Sequence, residues 1–441
     1  MAHVFKRIEG SVTAPRGFRA AGVFCDIKRL GTGKGSNKGP KRDLALIFSD
    51  ARAAVAGMFT TNQICAAPVK LCIERMKRGV ARAVVVNSGN ANACTGKQGR
   101  HDADAMARLA ASALGIKSSD VLVASTGRIG VTLPMANVGH GIKSAAGLLG
   151  TSRASAAQVA DAIMTSDTRP KEVAVEFKLG GKIVRIGGVC KGAGMIQPGM
   201  SATGARPAAA SLHATMLCFI TTDAAIAKRA LQSALEQSVA QSFNRITVDG
   251  DMSTNDTVLV LANGAAGNSK CKMQNSKFKV FQAVLDFICL ELAKMIVRDG
   301  EGVSRFVTVR VRGAKNFEDA DAAARAVANS ALVKTSWHGG DPNWGRIIDA
   351  LGYSAATVVE ERVDIGYSAP GSRAVLHSLK RGQPTRATFE QLCAAVAPRE
   401  FDLHINLNLG HAAAVMYAAD LTADYVDFNK GDVTDPASLG G

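Results

Sequence analysis

Aromatic side chains are scarce in this chain: they make up 5% of its 441 residues, with 2 Trp and 4 Tyr. Alanine and small aliphatic residues must therefore fill the interior. Long apolar runs are missing too. The stretch from Val284 to Val297 is broken by Asp286, Glu291 and Lys294, so no membrane-spanning helix is expected. The nine cysteines include no Cys-x-x-Cys pair and are odd in number, a pattern of free buried thiols in a reducing compartment. The eight histidines are dispersed, with no His-Glu-x-x-His or comparable spacing, and no metal site is expected. Gly31-Thr-Gly-Lys-Gly-Ser36 lacks the Gly-Lys-Ser/Thr ending of a phosphate loop. The opening Met1-Ala-His-Val-Phe-Lys-Arg7 contains no secretory hydrophobic region.

What remains is ordinary globular material, 47% hydrophobic and 20% charged, which excludes a disordered chain. The length predicts about two or three structural units. The formal charge of +16 comes from Lys and Arg spread along the chain and rarely interleaved with aromatics. That describes a solvated basic surface and no nucleic-acid partner. The densest basic run, Lys28 to Arg42, reads as a flexible insertion able to attract an anionic substrate.

Short apolar runs alternate with alanine-rich periodic segments, which predicts a mixed α and β fold. Ala83–Val86, Val121–Val123 and Thr257–Leu261 read as buried strands. Val307, Val309 and Val311 alternate with polar partners, as do Phe401, Leu403, Ile405 and Leu407, predicting half-covered antiparallel strands. Asp102 to Leu114 reads as a helix stopped by Gly115. A second helix, with Ser276 as N-cap, carries Phe278, Phe281, Leu285, Ile288, Leu292 and Met295 on one face. The small residues and proline of 199–210 predict an exposed loop at a boundary.

The chemistry centres on Thr215, in Ser211-Leu-His-Ala-Thr-Met-Leu-Cys-Phe-Ile-Thr-Thr-Asp223, downstream of Lys191-Gly-Ala-Gly-Met-Ile-Gln-Pro198. A threonine hydroxyl is a poor nucleophile unless a proton acceptor stands beside it. Cleavage of the Ala214–Thr215 bond would supply one, because an N-terminal amine has an ordinary pKa near 7.7 to 8.0. Nucleophile and base would then belong to one residue. Taken by themselves, these residues fit the start of a buried strand better, since Thr, Phe and Ile favour sheets.

The segment resembles the processing site of the ornithine acetyltransferases, also called bifunctional glutamate N-acetyltransferases. The resemblance extends through Val12-Thr-Ala-Pro-Arg-Gly-Phe-Arg-Ala-Ala-Gly22, Phe59-Thr-Thr-Asn62, Val86-Asn-Ser-Gly-Asn-Ala-Asn-Ala-Cys-Thr-Gly96 and Ser125-Thr-Gly127. It continues through Ser242-Phe-Asn-Arg-Ile-Thr-Val-Asp-Gly-Asp-Met-Ser-Thr-Asn-Asp256, Arg298-Asp-Gly-Glu-Gly302, Asp341-Pro-Asn-Trp-Gly-Arg346 and Ala419-Asp-Leu-Thr-Ala-Asp-Tyr-Val426. One such block is a weak signal; the series in order, from near residue 12 to near residue 434, is highly specific.

The resemblance implies a layered sandwich of largely antiparallel sheets covered by helices. It implies self-cleavage into an α chain, residues 1–214, and a β chain, residues 215–441, that stay associated as an αβ heterodimer and pair into an α2β2 heterotetramer. Thr126 and Gly127 match the family's oxyanion-hole pair, a hydroxyl and a backbone N–H. Residues alone would make Ser125-Thr-Gly127 a turn after a strand. Lys191, Glu301, Thr168, Asn429 and Thr434 match substrate-binding positions, joined by Thr215 itself; Thr165 is a lesser alternative to Thr168. By themselves Lys191 would be a solvated side chain and Glu301 a polar turn residue.

The implied reaction moves an acetyl group from N2-acetylornithine to glutamate through an acetyl-Thr215 ester. It needs no bound cofactor, and acetyl-CoA is a further candidate donor. With the first block so near the start, the cytoplasm is expected, the mitochondrial matrix being the alternative. Two other functions fit: a self-processed amide hydrolase or aminopeptidase of related fold, and an inactive basic binding protein. The chain departs from the family pattern between Lys191 and Thr215, which are further apart than usual, and in His213, where methionine is usual. Met200-Ser-Ala-Thr203 is thus a rival cleavage site, disfavoured because Gly-Ala-Arg-Pro follows it. Between Asn429 and Thr434 the match is looser, and the chain runs on from Asp435 to Gly441.

Overall fold

The computed structural model describes residues 5–28, 41–205, 216–268 and 275–430. The expectations for Ala214, Thr215 and Thr434, and for most of the basic run, lie outside the described residues. The chain forms two units, residues 1–244 with 251–296 and 431–441, and residues 245–250 with 297–430.

The first unit is built on a ten-stranded sheet. Its strands are β1 (Phe5–Arg7), β2 (Phe18–Val23), β3 (Leu44–Thr60), β4 (Val80–Asn90), β5 (Val121–Arg128), β6 (Lys171–Leu179), β7 (Lys182–Lys191), β8 (Met200–Ser201) and β9 (Leu217–Thr222). After β10 (Ile246–Thr247) of the second unit, β11 (Thr257–Ala262) completes it. The order is β1-β6-β7-β9-β11-β3-β4-β5, with β2 and β8 also pairing with β3. Only β9–β11 and β4–β5 run parallel; the other pairs are antiparallel, as the resemblance implied.

Both faces of this sheet are covered, which is why its strands read as unbroken apolar runs. Ile47, Val84 and Val86 meet Val159, Ala160 and Ile163 of a helix at Arg153–Ile163. Leu46, Val85 and Val123 meet Ala103, Met106 and Ala110 of α2 (Gly96–Leu114), which follows α1 (Ala67–Met76). Burying each Val, Leu or Ile contributes roughly 1.5–3 kcal/mol.

α2 ends at Gly115 as predicted, with φ +64°, but begins six residues before Asp102. Its first turn faces polar groups, Asn92 Nδ2 donating to the Gly99 carbonyl at 2.8 Å, so no apolar period marks it. The later helix likewise starts earlier than expected, spanning Asn275–Arg298 with Ser276 inside it; Phe281, Leu285, Ile288 and Leu292 are fully buried. The stretch from residue 199 is not simply a loop. Met200 is buried, and β8 pairs with the end of β3 before the chain turns at Thr203. Of the eight described cysteines, none is bridged; five are buried, whereas Cys94 is exposed and Cys65 and Cys393 are half-buried.

The second unit carries a seven-stranded sheet, β10-β17-β12-β16-β13-β14-β15. Its remaining strands are β12 (Phe306–Ala314), β13 (Asp364–Ser368), β14 (Leu376–Lys380), β15 (Gln383–Pro384), β16 (Glu400–Asn406) and β17 (Ala412–Ala419). Val307, Val309, Phe401, Leu403 and Met416 face a helix at Phe317–Asn329. Arg310 and Asp402 pair at 2.8 Å, their side chains alternating with this apolar row. Both strands take part in antiparallel pairs as expected, β12 with β17 and β16 with β13, but between themselves they run parallel, Val307 opposite Phe401. Alternation reveals a half-covered face but not strand direction, and the long connection between them, which carries helices as well as β13–β15, permits the parallel pairing. Among the described residues no helix is long and apolar enough to cross a membrane.

Candidate active site

Thr126 stands near the end of β5, where the sheet is distorted. Its hydroxyl is buried, and Lys191, the last residue of β7, donates from Nζ to Thr126 Oγ1 at 3.3 Å. Two positions 65 residues apart thereby share one site. The next residue, Gly127, has φ +128°, and a Cβ there would lie 2.3 Å from the Gly89 carbonyl carbon opposite it. Only glycine allows β4 and β5 to close at that point.

Asn255 holds this distorted end in place. Its Nδ2 donates to the carbonyls of Ser125 and Ala91, both at 2.7 Å, bridging the strand of Thr126 to the chain leaving β4. Asp256 follows it and is fully buried. Asp256 Oδ1 accepts the Met216 N–H at 2.5 Å, and Met216 O accepts the Thr257 N–H at 3.1 Å. Burial pushes the Asp256 carboxyl well above the ordinary carboxylate range, against the pull of the Met216 amide and of the charge on Lys191.

A second buried carboxylate lies close enough to Lys191 to feel its charge. Asp167 Oδ1 accepts from Lys171 Nζ at 2.6 Å and from the Gly192 N–H at 2.7 Å, while Oδ2 accepts the Thr165 N–H at 2.9 Å. Burial alone would raise its pKa, but the charges of Lys191 and Lys171, with the Gly192 amide, hold it down to about 2. Asp167 thus ties the turn carrying Thr165 and Thr168 to the residue after Lys191. Thr168 itself is exposed and Thr165 half-buried.

In the second unit, Glu301 and Asn429 are brought together although 128 residues separate them. Asn429, the last residue of a helix at Ala423–Asn429, donates from Nδ2 to Glu301 Oε2 at 2.9 Å and to the Tyr425 carbonyl at 3.0 Å. Gly302 makes the approach possible: at φ +66°, a Cβ on it would sit 2.4 Å from the Tyr425 nitrogen. Thr422 Oγ1 donates to the Gly302 carbonyl at 2.7 Å, fixing turn to helix.

The sequence pattern of the ArgJ family matches residues 19–432. The chain belongs to the ArgJ family. That membership makes it an acetyltransferase of arginine biosynthesis. It is similar to the arginine biosynthesis bifunctional protein ArgJ of Symbiobacterium thermophilum, 47% identical over 424 residues, 96% of this chain and 98% of that one. It is similar also to the glutamate N-acetyltransferase of Methanocaldococcus jannaschii, 44% identical over 429 residues, again 96% and 98% of the two chains. Among solved structures, ornithine acetyltransferase of Mycobacterium tuberculosis, crystallised with ornithine, is 38% identical over 45% of this chain and all of that chain, with a TM-score of 0.40.

Within the ArgJ family pattern, sequence reading singled out Thr126, Gly127 and Lys191 but not the carboxylates around them. Asp167 stands inside Thr165-Ser-Asp-Thr168, and Asp256 closes the block that begins at Ser242. A carboxylate bounded by strand residues such as Thr257-Val-Leu-Val260 was the available signal, because a buried charge there needs a reason.

Proposed function

We propose that this chain cleaves itself between Ala214 and Thr215 and then transfers acetyl groups from N2-acetylornithine to glutamate. The observation that carries the reading is the Lys191–Thr126 contact of 3.3 Å beside Gly127. It joins a cation suited to a substrate carboxylate with a hydroxyl suited to an oxyanion. The names of the relatives, an arginine biosynthesis bifunctional protein and a glutamate N-acetyltransferase, support the same reaction.

In this scheme Thr215 Oγ attacks the acetyl carbonyl carbon while its proton passes to the Thr215 α-amine. Negative charge develops on the carbonyl oxygen, against the Thr126 hydroxyl and the Gly127 N–H. The C–N bond then breaks, and the departing ornithine nitrogen takes the proton back from the ammonium. The resulting acetyl ester is attacked by the amine of glutamate, which leaves as N-acetylglutamate and restores the hydroxyl. Acetyl-CoA would enter at the same ester as a second donor. Lys191, Thr168, Glu301, Asn429 and Thr434 would hold the amino acid.

Residues 1–214 and 215–441 would remain together after scission. β9 begins two residues beyond the cleavage point and is hydrogen-bonded to β7 on one side and β11 on the other, so a break before it leaves both ladders intact. Two such αβ pairs would form the α2β2 assembly. The test is a denaturing gel and intact mass of wild type beside Thr215→Ala, followed by incubation with N-acetylornithine with and without glutamate. Two fragments and glutamate-dependent ornithine release are expected of the wild type, one full-length inactive chain of the variant. Cleavage of Thr215→Ala, or acetate release indifferent to glutamate, would overturn the proposal.

A further inference from the structure

In the second unit, β12 and β17 pair antiparallel until Phe306 stands opposite Ala419, and there the regular ladder ends. The bonding does not. The Asp420 N–H donates to the Arg305 carbonyl at 3.2 Å, and the Arg305 N–H donates to Asp420 Oδ1 at 3.0 Å. A buried side-chain oxygen thus takes the place that a main-chain carbonyl holds in a continuing ladder.

The same carboxylate reaches one residue closer to Glu301. Oδ1 also accepts the Ser304 N–H at 3.0 Å, and Oδ2 accepts the Ser304 hydroxyl. Bonds to a charged acceptor are stronger than those between neutral groups, so residues 304 and 305 are held firmly. Asp420 is itself anchored on both sides. Lys334, buried on a helix at Ala331–Gly339, donates from Nζ to the Ala419 carbonyl, and its own carbonyl accepts the Leu421 N–H at 3.3 Å. Two residues beyond Asp420, Thr422 Oγ1 accepts the Tyr425 N–H at 3.0 Å as N-cap of the helix that ends at Asn429, and donates to the Gly302 carbonyl. Asp420 therefore fixes one end of the turn that carries Glu301, while Thr422 and Asn429 fix its middle and its carboxylate.

We propose that Asp420 is a positioning residue of the amino acid subsite: by holding residues 304 and 305 it sets where the Glu301 carboxylate stands beside Asn429. The inference rests on Glu301 holding the substrate ammonium, as proposed above. Asp420 acts through the backbone, since its carboxylate is bonded to Ser304 and Arg305 and not to Glu301. A turn released at that end lets the carboxylate move relative to the ammonium, and the charge-assisted contact weakens.

Isothermal titration calorimetry with ornithine, on the purified full-length protein, reads affinity and stoichiometry separately and needs no turnover. Loss of folded protein lowers the stoichiometry; a displaced Glu301 raises Kd. Asp420→Ala should bind ornithine about tenfold more weakly at unchanged stoichiometry, and a loss under about threefold overturns the inference. Asp420→Asn keeps an oxygen for the two N–H groups and an NH2 that can donate to Ser304 Oγ, so it should bind within about threefold of wild type. A loss as large as that of the alanine variant would make charge rather than position responsible, and overturns the inference. The double variant Asp420→Ala/Glu301→Gln should bind within about threefold of Glu301→Gln alone, whereas multiplied losses overturn it. If Asp420→Ala is not recovered folded, Asp420→Glu carries the test, because it keeps the charge but shifts both oxygens by a methylene; the same threefold limit decides. Failure of the Glu301 reading looks different: Glu301→Gln would bind ornithine as tightly as wild type, or wild type would not bind it at all.

Discussion

Lys191 donates its ammonium to the Thr126 hydroxyl at 3.3 Å, with both side chains buried. A hydroxyl has one proton to give and two lone pairs with which to accept. With a lone pair engaged by Lys191, the Thr126 proton is directed away from the lysine. In the proposed mechanism that direction is the oxyanion, so one contact both places a cation for the substrate carboxylate and aims the donor that stabilises the transition state.

Thr126→Val retains the shape of the side chain and removes the donor. The expected loss in kcat is about 100- to 1,000-fold, or about 2.7–4 kcal/mol, with KM for N-acetylornithine changed far less. Thr126→Ser should recover most of the rate. Steady-state kinetics on processed enzyme check this; a valine variant with unaltered kcat would remove Thr126 from the oxyanion site.

Asp167 makes the stability of the first unit depend on acid. Its folded pKa of about 2 lies below the ordinary 3.8, so the ionised form favours the folded chain. That stabilisation, about 2 kcal/mol, is complete above about pH 4 and is lost as the pH falls through 2. Asp167→Asn also removes the countercharge of Lys171, which is 1% exposed, and should cost about 3–5 kcal/mol at neutral pH. Denaturant unfolding of both proteins should show the gap between them narrowing from pH 5 towards pH 2. A gap independent of pH would mean that the carboxylate charge is not what stabilises.

Much of this architecture was legible because burial leaves a pattern. The two-sided sheet is written in Val84, Val85 and Val86, the one-sided sheet in the alternation of Val307, Val309 and Val311. Thr126, Gly127 and Lys191 were legible from family blocks. The parallel pairing of β12 with β16 was not, since inward-facing residues look alike in either direction. Nor was the first turn of α2, whose contacts with Asn92 are polar. The partners of Asp167 and Asp256 were hidden for a related reason: their donors, Gly192 and Met216, are backbone amides, which carry no residue identity.

Glu301 and Asn429 provide the test of the second unit. Both N–H groups of the Asn429 amide are engaged, one by Glu301 Oε2 and one by the Tyr425 carbonyl, so the side chain orients the carboxylate rather than rotating freely. If Glu301 holds the substrate ammonium, Glu301→Gln removes a charge-assisted contact and should raise KM for N-acetylornithine about tenfold or more. Asn429→Ala should raise it less, because the carboxylate survives but loses its orientation. The two effects should not multiply: with the carboxylate charge gone, the loss of its orienting amide matters little, and the double variant should fall within about threefold of Glu301→Gln alone. KM values for the four proteins, with melting temperatures to confirm folding, decide the matter. Fully multiplicative effects would show that the two residues act on the substrate independently and that their 2.9 Å contact has no functional part.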